Sequence, residues 1–375
     1  MTMATDSIGI YVHIPFCKRK CNYCDFCSEA AGEDKIDQYV DALCDEIKTF
    51  KKKDVITVNT VFFGGGTPSV INSCHFKKIM NTLRENFRIL PDAEITAEVN
   101  PGTVTEEKAV AFLRSGVNRI SIGAQSIHKN ELKILGRIHD CDDFVNTVQM
   151  FKRIGIDNLS VDLMYGIPEQ TLCSFKNTLK KIIALNPKHV SCYGLIIEEG
   201  TLFFENRENL ALPTEDEEYE MYSLAHQMLT DAGYIHYEIS NYGKEGFLSR
   251  HNLKYWHNEE YLGFGLSAHS YFGGHRFYNT SDFDEYFTRD CTKYRKAESL
   301  TDGIDPFEYA MLALRLDDGF LLEDYEKLFG KSFIEGKEDK IREFMNLELL
   351  KIAQGRISLT AKGFYVSNSI LTELL

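Results

Sequence analysis

The sequence predicts an α/β chain: an open (β/α)6 partial barrel followed by a small C-terminal helical, winged-helix-like module. Three observations predict it. Short β-rich runs alternate with longer segments of helical apolar spacing through the first two thirds of the chain, the pattern of a parallel sheet with crossover helices. The unusual residues cluster just after those runs, where such sheets carry their functional groups. After about residue 300 the rhythm changes to short helices and a hairpin.

The β-rich runs are Ile8–Ile14, Thr60–Phe63, Glu94–Val99, Arg119–Ala124, Leu159–Tyr165 and His189–Ile197. Tyr39–Phe50 and Phe144–Ile154 are examples of the helical segments between them. Six units fall short of the eight that close a barrel, so the sheet should stay open. A cysteine cluster follows the first run, Gly64-Gly65-Gly66 the second and Asn100-Pro101-Gly102 the third. Gln125-Ser126 follows the fourth and Tyr165-Gly166-Ile167-Pro168 closes the fifth. We divide the chain into a core (1–240), a connecting segment dense in aromatics, His, Asn and Gly (241–300) and a C-terminal module (301–375). In that module Phe307–Leu316, Leu321–Phe329 and Asp339–Leu350 read as helices. A turn at Gln354-Gly355 and a last helix near Lys362–Leu375 complete it.

The 375 residues fit two or three domains at roughly 150 each, and 43% apolar with 26% charged residues excludes a disordered chain. Lys+Arg 42 against Asp+Glu 56 leaves −14, which argues against a nucleic-acid partner. The acidic C-terminal module should therefore pack on the barrel. The longest uncharged run, Val55–Phe76, is broken by glycines and polar residues, so no transmembrane segment is read. No basic segment followed by an apolar stretch opens the chain, and a cytoplasmic location is expected.

Four of the ten cysteines crowd together at Cys17, Cys21, Cys24 and Cys27. A tight cluster in a large cytosolic chain reads as a metal site. Cys17-Lys18-Arg19-Lys20-Cys21-Asn22-Tyr23-Cys24 is a C-x3-C-x2-C spacing, which suits three irons of a [4Fe–4S] cubane and leaves the fourth open to a small chelating molecule. Zinc is the competing ion, but it normally takes paired C-x2-C halves and no second pair follows. Cys27 offers a further thiol. Gly330-Lys331-Ser332 is no P-loop, because Tyr325 stands where its first glycine belongs.

With Gly64-Gly65-Gly66-Thr67-Pro68 after the second run, the cysteine spacing resembles the radical S-adenosylmethionine (SAM) superfamily, whose core is a partial TIM barrel. Further motifs narrow the resemblance. They are Tyr11-Val12-His13-Ile14-Pro15-Phe16-Cys17, Asn118-Arg119-Ile120-Ser121-Ile122-Gly123-Ala124-Gln125-Ser126, Leu135-Gly136-Arg137-Ile138-His139 and Asp162-Leu163-Met164-Tyr165-Gly166-Ile167-Pro168. They are similar to the oxygen-independent coproporphyrinogen III oxidase family and to its relatives, the HemW-type haem chaperones. The likeness extends to Leu359-Thr360-Ala361-Lys362-Gly363. It implies Cys17, Cys21 and Cys24 as cluster ligands and Tyr11 beside them. It also implies a SAM pocket of Gly65, Gly66, Thr67, Glu98, Gln125, Arg137 and Asp162. Each has a plainer alternative: a surface ion pair for Arg137, a helix cap for Asp162, an idle barrel-mouth residue for Glu98.

Two features separate oxidase from chaperone. The oxidase carries a fourth cysteine two residues after the third, where this chain has Phe26, and it has a longer segment before its cluster. His251-Asn252-Leu253-Lys254-Tyr255, followed by Trp256, resembles the haem-contact motif of the chaperones. His251 and Tyr255 are plausible axial ligands four residues apart, so they share one helix face. His257 and His269 are alternatives, and packing of the C-terminal module is the plainer reading of the stretch. The resemblance therefore implies haem or porphyrin as cargo and a haem-requiring acceptor protein. It implies an electron donor if the chain turns SAM over as a decarboxylating oxidase.

Overall fold

The computed structural model describes residues 7–50, 55–298 and 304–375. Six strands form where the β-rich runs lie: β1 (Ile8–Ile14), β2 (Thr57–Gly65), β3 (Arg88–Val99), β4 (Arg119–Gln125), β5 (Leu159–Tyr165) and β6 (His189–Gly194). Helices alternate with them: α1 (Glu33–Thr49), α2 (Ser73–Asn86), α3 (Glu106–Arg114), α4 (Lys129–Ile134), α5 (Cys141–Arg153) and α6 (Leu172–Leu185). Starts are written locally: Asn72 accepts from the His75 N–H, and Asp140 and Thr171 close capping boxes.

Strand alternation explains why the sheet curls around a polar interior. Ile10, Val12, Val61, Phe63, Ile95, Ala97, Ile120, Ile122, Leu159, Val161 and Val190 are buried in the apolar core. Their neighbours Phe62, Glu98, Arg119, Ser121, Asp162, Ser191 and Tyr193 instead line one shared cavity. Side chains two apart on a strand share a face. Residues of β2 and β6 can meet in one cavity only if the intervening sheet bends toward itself.

Several boundaries differ from expectation: β2 begins at Thr57 rather than Thr60, β3 begins at Arg88 rather than Glu94, and the helix expected over Asp339–Leu350 ends at Asn346. The sixth strand ends at Gly194 rather than Ile197, because β5 stops pairing at Tyr165 before Gly166 turns away at φ 76°. The last helix is two, α15 (Ala361–Tyr365) and α16 (Ser367–Leu374), with Val366 leaving helical geometry between them. The segment 241–300 is more than a connector. After α7 (Leu202–Glu205) and α8 (Glu215–Asp231), β7 (Ile235–Glu238) and β8 (Asn241–Gly243) add an antiparallel pair beside β6. Then α9 (Arg250–Trp256) leads to β9 (Tyr261–Phe264), which joins β1 in parallel. The antiparallel strands β10 (His269–Phe272), β11 (His275–Asn279) and β12 (Arg295–Ala297) extend that edge, with α10 (Phe283–Phe287) and α11 (Cys291–Tyr294) between the last two. One 12-stranded open sheet results. The 240/241 boundary falls between the paired strands β7 and β8, and the 300/301 boundary lies outside the described residues.

The C-terminal module holds α12 (Pro306–Ala313), β13 (Phe320–Leu321), α13 (Leu322–Phe329), α14 (Glu338–Asn346), β14 (Leu350–Ala353) and β15 (Arg356–Leu359). Gln354 and Gly355, both at positive φ, make the two-residue hairpin turn. Phe320, Phe344, Ile357, Phe364 and Ile370 form its core, which Tyr222 of α8 joins. The Tyr222 hydroxyl also donates to the Ala361 carbonyl at 2.8 Å, so the module packs on the barrel. Among the described residues no helix is long and apolar enough to cross a membrane.

Candidate functional site

The cysteine loop leaves β1 and is docked to the glycine loop leaving β2. Gly66 N donates to the Ile14 carbonyl and Thr67 N to the Phe16 carbonyl, both at 2.8 Å. A side chain at Gly66 would place its Cβ 2.7 Å from the Phe16 carbonyl oxygen, so only glycine permits this approach. Gly65, at φ 105°, lies against the His13 ring. Together the loops form the rim of a cavity of about 390 Å³ lined by Cys17, Cys21 and Cys24.

A hydrogen-bond chain ties two of the thiols to the strand ends. Arg137 Nη1 lies 3.7 Å from Cys21 Sγ, while its Nη2 donates to Asn100 Oδ1 at 2.6 Å and to the Gly123 carbonyl. Asn100 Nδ2 donates to Thr67 Oγ1 at 2.7 Å, and Thr67 Oγ1 lies 3.4 Å from Cys17 Sγ. Burial pushes the Cys24 thiol up to about 11. Cys27 does not line the cavity; it packs against the apolar core with Sγ 3.9 Å from the Ser281 carbonyl.

Among the described residues, the group of three or more metal-ligating side chains whose ligand atoms lie within 4.8 Å of one another is Glu33, Asp37 and His75. The three rim thiols are therefore spread more widely than that. Two thiolates on a single zinc sit only about 3.8 Å apart, from bonds near 2.3 Å at a tetrahedral angle. Thiols spaced around a rim, with a guanidinium and a hydroxyl directed at two of them, fit a multi-iron cluster better than one ion.

Deeper in the cavity Glu98 and Asp162 face each other from β3 and β5. Burial, reinforced by Asp162, raises Glu98 to about 8, with the Gly65 N–H pulling the other way. Burial also raises Asp162, which accepts from Ser121 Oγ at 2.9 Å. Gln125 sits in left-handed backbone (φ 62°) and accepts from the Tyr193 hydroxyl at 2.9 Å. Tyr11 is not at the cavity wall. Its hydroxyl bonds His13 Nδ1 at 3.0 Å, and His13 Nε2 donates to the Cys27 carbonyl at 2.8 Å. Burial lowers His13 to about 4, so the ring is neutral and relays Tyr11 to the cysteine loop.

The carboxylate pair gives a pH prediction. A carboxyl raised in the folded state destabilises that state when ionised, so stability is fullest below about pH 4.5 and falls until about pH 8. Glu98→Gln removes that loss. Urea titrations should show the variant gaining about 1–3 kcal/mol over the parent at pH 8, after discounting for cavity water, and nothing at pH 4. Equal pH profiles would refute the assignment.

The His251 motif lies at the opposite end of the cavity, toward the strand N-termini. Glu94 of β3 accepts the Arg250 and His251 N–H groups of α9, each at 3.1 Å, and Ser249 caps the same helix. Gly9 of β1 leaves room for the close approach of His251 and Lys254. Asn252 lines the cavity, but His251 and Tyr255 do not. His251 is 1% exposed, stacked on Phe62, with Nδ1 2.8 Å from Thr60 Oγ1 and Nε2 2.8 Å from the Tyr255 hydroxyl. In this conformation both ring nitrogens are engaged. Burial lowers the imidazole to about 3 and keeps it neutral. His257 and His269 are exposed.

Asn100, His13, Arg119 and Tyr193 belong to the site but escaped the sequence-based selection. The Asn100-Pro101-Gly102 strand end was a usable signal. Arg119 and Tyr193 were readable only through the two-residue period that also carries Gln125 and Asp162.

Comparisons with known proteins place this geometry in a family. A profile of the Radical SAM superfamily matches residues 11–182, and one of the HemN C-terminal domain matches 305–366. The chain is 36% identical to the haem chaperone HemW of Lactococcus lactis over 97% of this chain and 96% of that one. It is 32% identical to the HemW of Bacillus subtilis over 97% and 98%. Its fold resembles that of coproporphyrinogen III oxidase (HemN) from Escherichia coli, a radical SAM enzyme, with a TM-score of 0.82, 24% identity, and coverage of 98% of this chain and 90% of the other. With near full-length identity above 30% and a cysteine rim over a polar partial barrel, the chain belongs to the HemW family of the radical SAM superfamily.

Proposed function

We propose that this chain binds haem and delivers it to a haem-requiring acceptor protein, as its HemW relatives are named for doing. The observation that carries the reading is the placement of α9: the helix with the His251 motif reaches, through Asn252, the cavity whose rim holds the three cysteines. Cargo and cofactor sites then share one chamber, which gives cluster and SAM a route to influence haem. The cytoplasm is the expected compartment.

Cys17, Cys21 and Cys24 would hold a [4Fe–4S] cluster, which with SAM supplies one-electron chemistry when bound. Arg137, held by Asn100 and the Gly123 carbonyl through its Nη2, would offer its Nη1 to a carboxylate beside Cys21. The Gly65 and Gly66 carbonyls would accept from an ammonium group, since the Gly66 and Thr67 N–H groups and the Thr67 carbonyl are already used. Asp162, oriented by Ser121, would accept from a ribose hydroxyl. Glu98 holds a proton at neutral pH and so donates a hydrogen bond there. Gln125, fixed by Tyr193, closes the pocket from β4, and Tyr11 steadies the cysteine loop through His13.

His251 would ligate haem iron through Nε2, which must first leave the Tyr255 hydroxyl. Titration of the parent with haem should give a Soret band that His251→Ala loses or visibly shifts and His257→Ala keeps. If His251→Ala binds like the parent, the ligand lies elsewhere. The alternative activity is decarboxylation of coproporphyrinogen III with an electron donor. Its hallmark would be protoporphyrinogen IX formation with SAM consumption under anaerobic reduction, and that outcome would replace the chaperone reading. Phe26, 60% exposed on the rim in place of the oxidase cysteine, favours the chaperone.

A further inference from the structure

We propose that Arg119 anchors a propionate of bound haem at the floor of the cavity, an inference that rests on the haem-binding reading above. Arg119 is the first residue of β4 and lines the cavity, yet it is only 2% exposed. Among the described residues its Nε has no hydrogen-bond partner. Glu98 and Asp162 feel its charge through space. A buried guanidinium nitrogen without a bonded partner calls for an explanation, and a ligand drawn to the group is one.

The ligand chemistry is a carboxylate. A guanidinium fork matches it bidentately, and the surrounding wall supplies further neutral donors in Ser240 and Asn252. The nearest acids do not oppose it strongly: Glu98 carries a proton at neutral pH and Asp162 is bonded to Ser121.

Two molecules could bring the carboxylate, and position separates them. Arg137 bonds the carbonyl of Gly123, four residues along β4 toward the cysteine rim. At about 3.3 Å per residue, the two backbone stations on β4 are about 13 Å apart. The single carboxylate of a SAM molecule seated beside Cys21 is served by Arg137. Arg119 instead shares the cavity wall with Asn252, the residue that follows His251 on α9. An acid group there belongs to whatever His251 binds. Haem carries two propionates, and its iron would face that imidazole.

The full-length protein is titrated with haem and with haem dimethyl ester, following the Soret band, and SAM binding is followed in parallel by the electron paramagnetic resonance spectrum of the reduced cluster. The parent should prefer the free acid. R119Q should weaken haem by about 10- to 100-fold, the worth of a charged hydrogen bond, leave the diester unchanged and leave the SAM response intact. R119K should recover part of the loss. N252D, which puts a negative charge on the same floor, should weaken haem and spare the diester, and it carries the test if R119Q does not fold. Equal loss of both ligands, or no preference in the parent, overturns the proposal and leaves haem binding standing. Loss of the SAM response in R119Q with the haem preference intact assigns the carboxylate to SAM and also overturns it. No Soret band with either ligand removes the haem reading itself.

Discussion

Cys21→Ala should reconstitute with almost no iron, against about four irons per chain in the parent. Cys21 is the thiol that Arg137 approaches, in a network running through Asn100 and Thr67 to Cys17. Removing one of three ligands leaves two thiolates, too few to hold a cubane that already lacks a fourth protein ligand. Cys27→Ala should keep its iron, because that thiol faces the core and the Ser281 carbonyl instead of the cavity. Iron and sulfide analysis with the visible absorption of the cluster checks both. A four-iron cluster in Cys21→Ala, or its loss in Cys27→Ala, would reassign the ligands.

Glu46→Ala should cost about 3–5 kcal/mol of folding stability, the range for breaking a buried ionic node. Glu46, on α1 and 2% exposed, accepts from the Gly265 N–H at 2.9 Å, Asn279 Nδ2 at 2.7 Å and the Tyr286 hydroxyl at 2.7 Å. Arg295 Nη2 pairs with it at 3.5 Å. Burial raises its pKa and these donors pull it back. The alanine variant strands the donors that fasten the 265–295 segment to α1. Glu46→Gln keeps the shape and most of the bonds and should lose only about 1–2 kcal/mol. Urea midpoints at pH 7 measure both; equal losses would show that the carboxylate's bonds are not what holds the segment.

The core of the barrel was legible because its signals are local. Ile8–Ile14 and Leu159–Tyr165 became strands with the bounds their β-rich runs suggested. The C-x3-C-x2-C loop and the glycine triplet follow consecutive strands, so a parallel sheet brings them together whatever the rest does. The Gln354-Gly355 turn was equally readable, since left-handed backbone selects its residues within two positions.

What only the tertiary structure decided lies in pairings across long stretches of chain. Thr60 meets His251 across 191 residues, and Glu94 caps α9 across 157. No local pattern in 241–300 tells that this segment reaches the cavity and lays β9 along β1. Its strands run three to five residues, too short for a period to stand out, and their partners are remote. The sequence by itself determined the chemistry of the rim and the alternation of the barrel wall, because both are set by spacing within one loop or strand. Tertiary packing decided that His251 is enclosed by Thr60, Phe62 and Tyr255 and that Arg119 faces the cavity without a bonded partner at its Nε. Burial and hydrogen-bond satisfaction are properties of what surrounds a side chain, and those surroundings come from every strand of the barrel at once.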